Sequence, residues 1–259
     1  MLSKSQIKFV NFLKQKKFRE LHRCFIVEGS KLVLELSAGR FPIRQIYATA
    51  GWIEETGLAS TAPVNEISLR EMECITALAS PSQVLAIVDM DEPVLDLASL
   101  KSSLTLMLDD IQDPGNLGTM IRIADWFGIG QIICSSTTVD LYNPKVIQAT
   151  MGSLIRVNVF SRELRTLLED LNGRVPVYGM MLDGKDIYQA EIGNHGIVVI
   201  GNEAHGISQE LIPFVTHRLS IPFYPGDRKE HAESLNAAVA TGIVCAEFRR
   251  RTKDVRRTT

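Results

Sequence analysis

The hydrophobic pattern of the chain alternates between short apolar runs and longer stretches with helical spacing. The runs LTLML (104–108) and GIVVIG (196–201) are apolar at nearly every position, which is typical of strands covered on both faces. In SRELRTLLEDLNG (161–173), apolar residues recur at helical spacing between a capping Ser161 and a terminating Gly173. Strands that alternate with helices in this way predict an α/β fold with a mainly parallel sheet.

The same pattern divides the chain into two domains. Residues 1–90 hold a first helix, which packs Ile7, Val10 and Leu13, and then four strands interleaved with helices, which predicts a small α/β domain. Residues 91–103 carry the proline and acidic residues of a linker. A second α/β domain is expected over residues 104–259.

Composition narrows the class of protein. With 45% hydrophobic and 22% charged residues, the 259-residue chain is typical of globular proteins. No apolar run approaches the ~20 residues that a membrane-spanning helix needs, and we expect no membrane association and no secretory signal. The four cysteines, Cys24, Cys74, Cys134 and Cys245, lie far apart and form no CxxC pair. We therefore expect a cytoplasmic protein without bound metal.

The charge distribution is uneven, although the formal net charge is only −2. Residues 1–31 contain eight Lys or Arg against two Glu, and residues 247–259 contain six against two acidic residues. Such basic ends could contact RNA phosphates, or they could simply be solvated. The low net charge excludes a protein that grips nucleic acid by bulk charge alone.

The stretch LDDIQDPGNLGTMIRIADWFG (108–128) places a turn and a helix directly after the first buried strand of the second domain. Asp113 followed by Pro114 predicts the start of the helix. Apolar residues at core-facing spacing then follow: Leu117, Ile121 and Ala124. Arg122 falls on another face, and Asn116 lies between two glycines that let a ligand or another chain approach the backbone. Asn116 and Arg122 are therefore candidate functional residues.

Two further segments carry candidate chemistry. GNEAHGIS (201–208) follows a buried strand, as a ligand-facing loop should, and Glu203 is its only acidic residue. In ESLNAAVATGI (233–243), Ser234 is the expected N-cap of a helix, and Asn236 points away from the apolar stripe. The residues of that stripe are Leu235, Ala238, Val239, Gly242 and Ala246.

Other nucleotide-dependent and metal-dependent classes lack their motifs. The chain contains neither GxGxxG after a strand nor GxxxxGK[ST], which disfavours a nucleotide-dependent oxidoreductase. The HAE sequence at 231–233 lacks the paired cysteines of a zinc deaminase.

The segments DPGNLG, MIRIAD, IGNEAHGIS and ESLNAAVATGI resemble, in order, the three conserved blocks of the SpoU (TrmH-type) RNA ribose 2′-O-methyltransferases of the SPOUT superfamily. RCFIVEGSKLVLELSAG (23–39) is similar to the small substrate-binding domain that precedes the catalytic domain in many members. The resemblance implies a C-terminal trefoil knot between Ile197 and Arg250 and a small RNA-binding α/β domain before it.

The resemblance also implies a cofactor, a set of site residues and an assembly. S-adenosylmethionine (SAM) would bind in the knot, contacted by backbone groups of Gly201, Ile221 and Leu235. Family members are usually homodimers with the active site near the subunit interface, so a homodimer is expected. The positions associated with catalysis and substrate contact match Asn116, Arg122, Glu203, Ser234 and Asn236.

The reaction implied is methyl transfer from SAM to a ribose 2′-hydroxyl of RNA, with rRNA as the expected substrate. The alternatives are a tRNA substrate and a catalytically silent RNA-binding protein of the same fold. Family proposals make the equivalent of Arg122 the general base, but a guanidinium seldom gives up its proton, and bidentate binding of a phosphate is the alternative role. Ala204, where the family usually has Gly, and the longer segment 223–233 depart from the family pattern.

Overall fold

The computed structural model describes residues 1–39, 41–58, 62–171, 173–224 and 234–257, with residues 253–257 described by their backbone alone. The chain forms two compact units. The first comprises Met1–Glu92 and Asp140–Ile155, and the second comprises Pro93–Val139 and Arg156–Thr259. Most of the inserted segment 223–233 noted in the sequence, residues 225–233, lies outside the described residues.

Helices and strands alternate along both units. The elements, numbered along the chain, are α1 (Lys4–Phe12), α2 (Lys16–His22), β1 (Cys24–Glu28), α3 (Ser30–Ser37), β2 (Ile43–Ala48), α4 (Ala50–Thr56), β3 (Val64–Glu66), α5 (Leu69–Ile75), β4 (Val84–Asp89), β5 (Leu104–Leu108), α6 (Pro114–Trp126), β6 (Gln131–Cys134), α7 (Pro144–Thr150), β7 (Asn158–Ser161), α8 (Leu164–Leu171), β8 (Val177–Asp186), β9 (Gly196–Ile200), β10 (His217–Ser220) and α9 (Ala237–Arg257).

The first unit is built around a four-stranded sheet in the order β1-β4-β2-β3. β4 runs antiparallel to β1 and β2, whereas β3 runs parallel to β2. Val10 and Leu13 are fully buried in the core beneath α1, as the apolar spacing predicts. Ser68 caps α5 in a capping box with Glu71, which satisfies free amides at both ends of the first turn.

Residues 140–155 pack with the first unit, although the sequence pattern places them in a second domain that starts at residue 104. Arg19 is 2% exposed, and its guanidinium pairs with the Asp140 carboxylate. Gln148 Nε2 donates to the carbonyl of Glu28 in β1 at 2.8 Å. A buried arginine needs such a partner, because an unpaired charge is costly away from water. The buried ion pair therefore holds this segment in the first unit.

The second unit is built around a six-stranded sheet in the order β10-β8-β9-β5-β6-β7, and every neighbouring pair is parallel. This confirms the α/β fold with a mainly parallel sheet. All residues of the central strands β5 and β9 are buried, as expected for strands covered on both faces. Since all strands point the same way, the loops that follow β5, β9 and β10 lie at one edge of the sheet.

Helices α6 and α9 pack side by side in the second unit. α6 buries Leu117, Ile121 and Ala124, the residues that the sequence assigns to the core. A side chain at Gly242 of α9 would lie 3.7 Å from Ile123 Cδ1 of α6. The arrangement brings the first turns of the two helices close together.

Some element boundaries differ from the sequence expectation. Ser161 is the last residue of β7, paired opposite Cys134, and so it does not cap α8. The amide of Leu167 bonds instead to the carbonyl of Glu163, where α8 begins. Within the segment 207–214, a 3₁₀ turn forms over Ile212–Phe214. No helix within the described residues is long and apolar enough to span a membrane.

Candidate active site

Three segments distant in sequence meet at the carboxyl edge of the parallel sheet. The first is the start of α6, which follows β5. The second is the loop 201–208 after β9, and the third is the start of α9. These are the three segments that the sequence singled out, and polar side chains join them.

Asn236 caps α9. Its Oδ1 accepts hydrogen bonds from the amides of Ala238 (2.9 Å) and Val239 (3.2 Å), and its carbonyl accepts from the amide of Ala240 (2.9 Å). This is the geometry of an N-cap residue, which satisfies amides that the helix itself leaves unpaired. The expectation that Ser234 caps this helix is therefore wrong, because the helix begins two residues later.

A chain of hydrogen bonds runs from Asn236 to Glu203. Asn236 Nδ2 donates to Asn116 Oδ1 at 2.9 Å, and Asn116 Nδ2 donates to Glu203 Oε1 at 2.6 Å. The helix amides need an acceptor, so Asn236 must turn its oxygen to them and its nitrogen to Asn116. Asn116 then has only its nitrogen left to offer the Glu203 carboxylate. Each amide is thus held in one orientation.

The helix start predicted at Asp113 is confirmed, and it fixes Asn116. Asp113 Oδ1 accepts from the backbone amide of Asn116 at 2.8 Å, with Pro114 as the first helical residue. The cap therefore holds the backbone of Asn116, while Asn236 and Glu203 hold its side chain.

Arg122 and Ser234 lie outside this hydrogen-bond chain. Arg122 is exposed on α6, about 9 Å along the helix axis from Asn116, and its guanidinium donates to none of the described residues. Its side chain faces solvent, as the sequence predicts. Ser234 is exposed just before α9 and has no hydrogen bond to a described residue. The structure thus joins Asn116, Glu203 and Asn236, but it does not join Arg122 or Ser234 to them.

Sequence reasoning overlooked the residues that hold the Glu203 loop. Two aspartates follow β5, and each binds one end of the loop. Asp109 Oδ2 accepts from the amide (2.7 Å) and the hydroxyl (2.6 Å) of Ser208. Asn202 Nδ2 donates to the carbonyl (2.9 Å) and to Oδ2 (3.0 Å) of Asp110. Consecutive aspartates at the end of a buried strand were the available signal.

The three residues expected to contact a cofactor through their backbone also lie at this edge. Gly201 follows β9, Ile221 follows β10 and Leu235 precedes α9. None of them makes a backbone hydrogen bond to another described residue, as residues that contact a ligand through their backbone should not. At Gly201 an added Cβ would overlap the backbone of Gly206 and Ile207. The residues present fit a ligand with hydrogen-bonding edges, such as an adenine ring.

Nucleophilic thiols and metal ligands do not contribute to the described part of this edge. Burial raises the pKa of the Cys134 thiol, at the end of β6, and of the Cys245 thiol, in α9, to about 12. Neither thiol is a thiolate near neutral pH. Among the described residues, no group of three or more His, Cys, Asp or Glu is placed to hold a metal ion.

Comparison with known proteins assigns the chain to a family. The model of the SpoU rRNA Methylase family matches residues 103–246. The chain belongs to the SpoU rRNA methylase family. A second model, the MRM3-like substrate binding domain, matches residues 4–86, where the sequence predicted a small domain resembling such a module. Both parts of the resemblance are therefore confirmed.

Individual relatives of this SpoU protein agree along nearly its whole length. It is 30% identical over 239 residues to the 23S rRNA (guanosine(2553)-2′-O)-methyltransferase RlmP of Bacillus subtilis, an alignment that covers 92% of this chain and 93% of that protein. A protein assigned to the TrmH family of RNA methyltransferases from Porphyromonas gingivalis superposes with a TM-score of 0.85 at 38% identity, covering 97% of this chain and 99% of that one. An AdoMet-bound rRNA methyltransferase from Sinorhizobium meliloti gives a TM-score of 0.82 at 28% identity, covering 97% of each chain.

Proposed function

We propose that the chain is a SAM-dependent methyltransferase that transfers a methyl group to a ribose 2′-hydroxyl of rRNA. The observation that carries the proposal is the hydrogen-bond chain Asn236–Asn116–Glu203, which joins the three family segments at one edge of the sheet. The B. subtilis relative is named as a 23S rRNA 2′-O-methyltransferase and the S. meliloti relative is AdoMet-bound. An rRNA substrate also favours a cytoplasmic location in a bacterial cell.

The proposed cofactor site is the carboxyl edge next to Gly201, Ile221 and Leu235. Their backbone groups would hold the adenine end, and the C-terminal segment from Ile197 to Arg250 would be threaded through the trefoil knot of the family. When bound, SAM supplies an electrophilic methyl group on a sulfonium. The residues of this chain must then bring a 2′-hydroxyl into line and accept its proton.

We assign the polar residues separate roles in that step. Arg122 is the exposed guanidinium beside the chain, and we propose that it binds a phosphate next to the target ribose through two parallel hydrogen bonds. Asn116 and Asn236 hold Glu203 in a fixed position, where its carboxylate accepts a hydrogen bond from the ribose 2′-hydroxyl and takes up its proton. Ser234, exposed before α9, is proposed to contact the RNA. RNA is favoured over DNA because only RNA carries the 2′-hydroxyl.

We further propose that the protein acts as a homodimer through α6 and α9. Part of the predicted apolar stripe of α9 is not core: Ala238 is buried, but Leu235 is 48% exposed and Val239 is 53% exposed. On the neighbouring α6, Trp126 is 85% exposed. Exposed apolar residues on two packed helices are typical of a protein interface. A second copy over this face would lie beside Arg122 and Asn236.

The test is methyl transfer from tritiated SAM to rRNA and to tRNA, with the acceptor site then mapped by 2′-O-methyl sequencing. We expect a single labelled position in rRNA. Arg122→Ala should lower kcat/KM by at least about 100-fold, because the phosphate loses its anchor, and Arg122→Lys should recover only part of it.

Arg174 provides a matched control for Arg122. It is an exposed arginine that precedes β8, at the opposite edge of the sheet, and Arg174→Ala should keep full activity. Full activity of Arg122→Ala would refute its role. RNA binding by the wild-type chain without any methyl transfer would instead favour the catalytically silent alternative, and labelling of tRNA alone would favour the tRNA alternative.

A further inference from the structure

The loop that carries Glu203 is a closed loop held at its base. Asn202 and Gly206 exchange two backbone hydrogen bonds, from amide 202 to carbonyl 206 at 3.0 Å and from amide 206 to carbonyl 202 at 2.9 Å. Inside the loop, Asn202 Oδ1 accepts from the amides of Ala204 (2.8 Å) and His205 (3.2 Å). Asn202 therefore shapes the turn that presents Glu203.

The loop is also bound to the turn after β5 through the same residue. With its oxygen committed to the loop amides, Asn202 must direct Nδ2 outward, where it meets the carbonyl and Oδ2 of Asp110 at 2.9 and 3.0 Å. Asp110 has a φ of +57°, in the left-handed region that Asn and Asp tolerate better than most residues. That conformation lets its carbonyl and its side chain face Asn202 together.

We propose that Asn202 and Asp110 are positioning residues of the methyl-transfer site, which hold the Glu203 carboxylate against Asn116. The inference rests on the role proposed for Glu203. Asn116 reaches Glu203 from α6, and the Asp110–Asn202 pair holds the loop from the turn before α6. Glu203 is exposed, so without this pair its loop has fewer restraints, and the carboxylate leaves Asn116 more often.

The first test compares single substitutions at Asn202 in a single-turnover assay with tritiated SAM and rRNA. Asn202→Ala should lower the rate about tenfold, because the loop amides and Asp110 lose their partner. Asn202→Asp should lower it further, since two carboxylates would then face each other. Asn194→Ala, an exposed asparagine before the amino end of β9, is the matched control and should keep the wild-type rate.

The second test is a swap of the two side chains. In the double variant Asp110→Asn, Asn202→Asp, the amide at 110 can donate to the carboxylate at 202, and asparagine suits the left-handed backbone at 110. We expect the swap to recover part of the rate lost in Asn202→Asp, and the recovery is incomplete because the carbonyl of residue 110 loses the donor that Asn202 Nδ2 provides. Failure of the swap to improve on Asn202→Asp overturns the pairing. This comparison holds even if Asn202→Ala folds poorly.

The third test separates a positioning role from a purely structural one. If Asn202 acts through Glu203, Asn202→Ala should cost much less in a Glu203→Ala background than in wild type. An equal cost in both backgrounds overturns the proposal, as does a wild-type rate for Asn202→Ala. A fully active Glu203→Ala would overturn this inference while leaving the methyl-transfer function intact, because that function fails only if the wild-type chain transfers no methyl group.

Discussion

Thr105 in β5 stands out among individual residues because its hydroxyl is buried without a hydrogen-bond partner. It is 0% exposed, and among the described residues Thr105 Oγ1 is the buried side-chain polar atom that pairs with nothing. Burying an unpaired hydroxyl is unfavourable, since water is lost and no bond replaces it. The β-branched shape of Thr105 fits the strand, whereas its oxygen contributes nothing to the core.

We therefore expect Thr105→Val to stabilise the protein by about 1 kcal/mol, because the branch is kept and the unpaired oxygen is removed. The measurement is the urea midpoint of unfolding, at unchanged denaturant dependence. Thr241→Val is the matched control. Thr241 is equally buried, but its hydroxyl donates to the carbonyl of Ala237 at 2.7 Å, so this change should not stabilise. Equal shifts for the two variants would contradict the argument.

At the scale of elements, the residues at which α6 and α9 begin determine which side chains meet at the candidate site. The start of α6 could be predicted from sequence because Asp113 and Pro114 act locally on the first turn. The start of α9 could not, since Ser234 and Asn236 are both good capping residues. Asn236 is the cap, and its side chain has a second partner, Asn116. That partner lies 120 positions away in the chain, so the local sequence pattern gives no sign of it.

Two other departures from the sequence expectation also have long-range causes. Ser161 has the residue type of a cap, but its pairing opposite Cys134 draws it into β7. The segment around α7 lies in the range 104–259 assigned to the second domain from sequence, but Asp140 and Gln148 bond it to Arg19 and Glu28 of the first unit. The spacing of apolar residues predicts a helix or a strand, whereas the elements that pack against it depend on contacts between residues distant in sequence.

The cap of α6 should matter for activity beyond its effect on stability. Asp113→Ala should destabilise the protein by about 1 kcal/mol and also lower methyl transfer, because the backbone of Asn116 loses its hydrogen bond. Ser68→Ala removes a comparable cap from α5 in the first unit and should cost similar stability at unchanged kcat. Urea unfolding and steady-state kinetics measure the two effects. Parallel losses of activity in both variants would show that Asp113 acts through stability alone.

At the scale of the whole molecule, several cations in the described parts of the two basic ends are bonded to other parts of the fold. Arg19 pairs with Asp140 inside the first unit, and Lys14 donates to the carbonyl of Thr76. Near the C-terminus, Arg249 donates to the carbonyl of Phe127, and Arg251 donates to the carbonyl of Ala190. Such cations are held by the protein and are less available to phosphates, which makes the exposed Arg122 a more specific candidate for RNA contact.

The proposed dimer follows from the exposed side of α6 and α9, and Val239 is the residue that tests it. A stable dimer of standard size buries about 800 Å² on each partner. An interface of that size can cover the exposed apolar residues of both helices, Trp126 on α6 and Val239 on α9. Val239→Glu should dissociate it, because a buried, unpaired carboxylate is unfavourable at an interface. The change should leave α9 intact, since a glutamate in the first helical turn is favourable.

Sedimentation equilibrium should therefore give twice the chain mass for wild type and the single-chain mass for Val239→Glu, with methyl transfer strongly reduced in the variant. Val94→Glu is the control, because Val94 is 88% exposed in the connector that begins the second unit, and it should stay dimeric and active. A monomeric wild type with full activity would refute the dimer. If the Val239→Glu variant stays dimeric, the interface lies on another part of the surface. If the variant is monomeric and fully active, each copy holds a complete site.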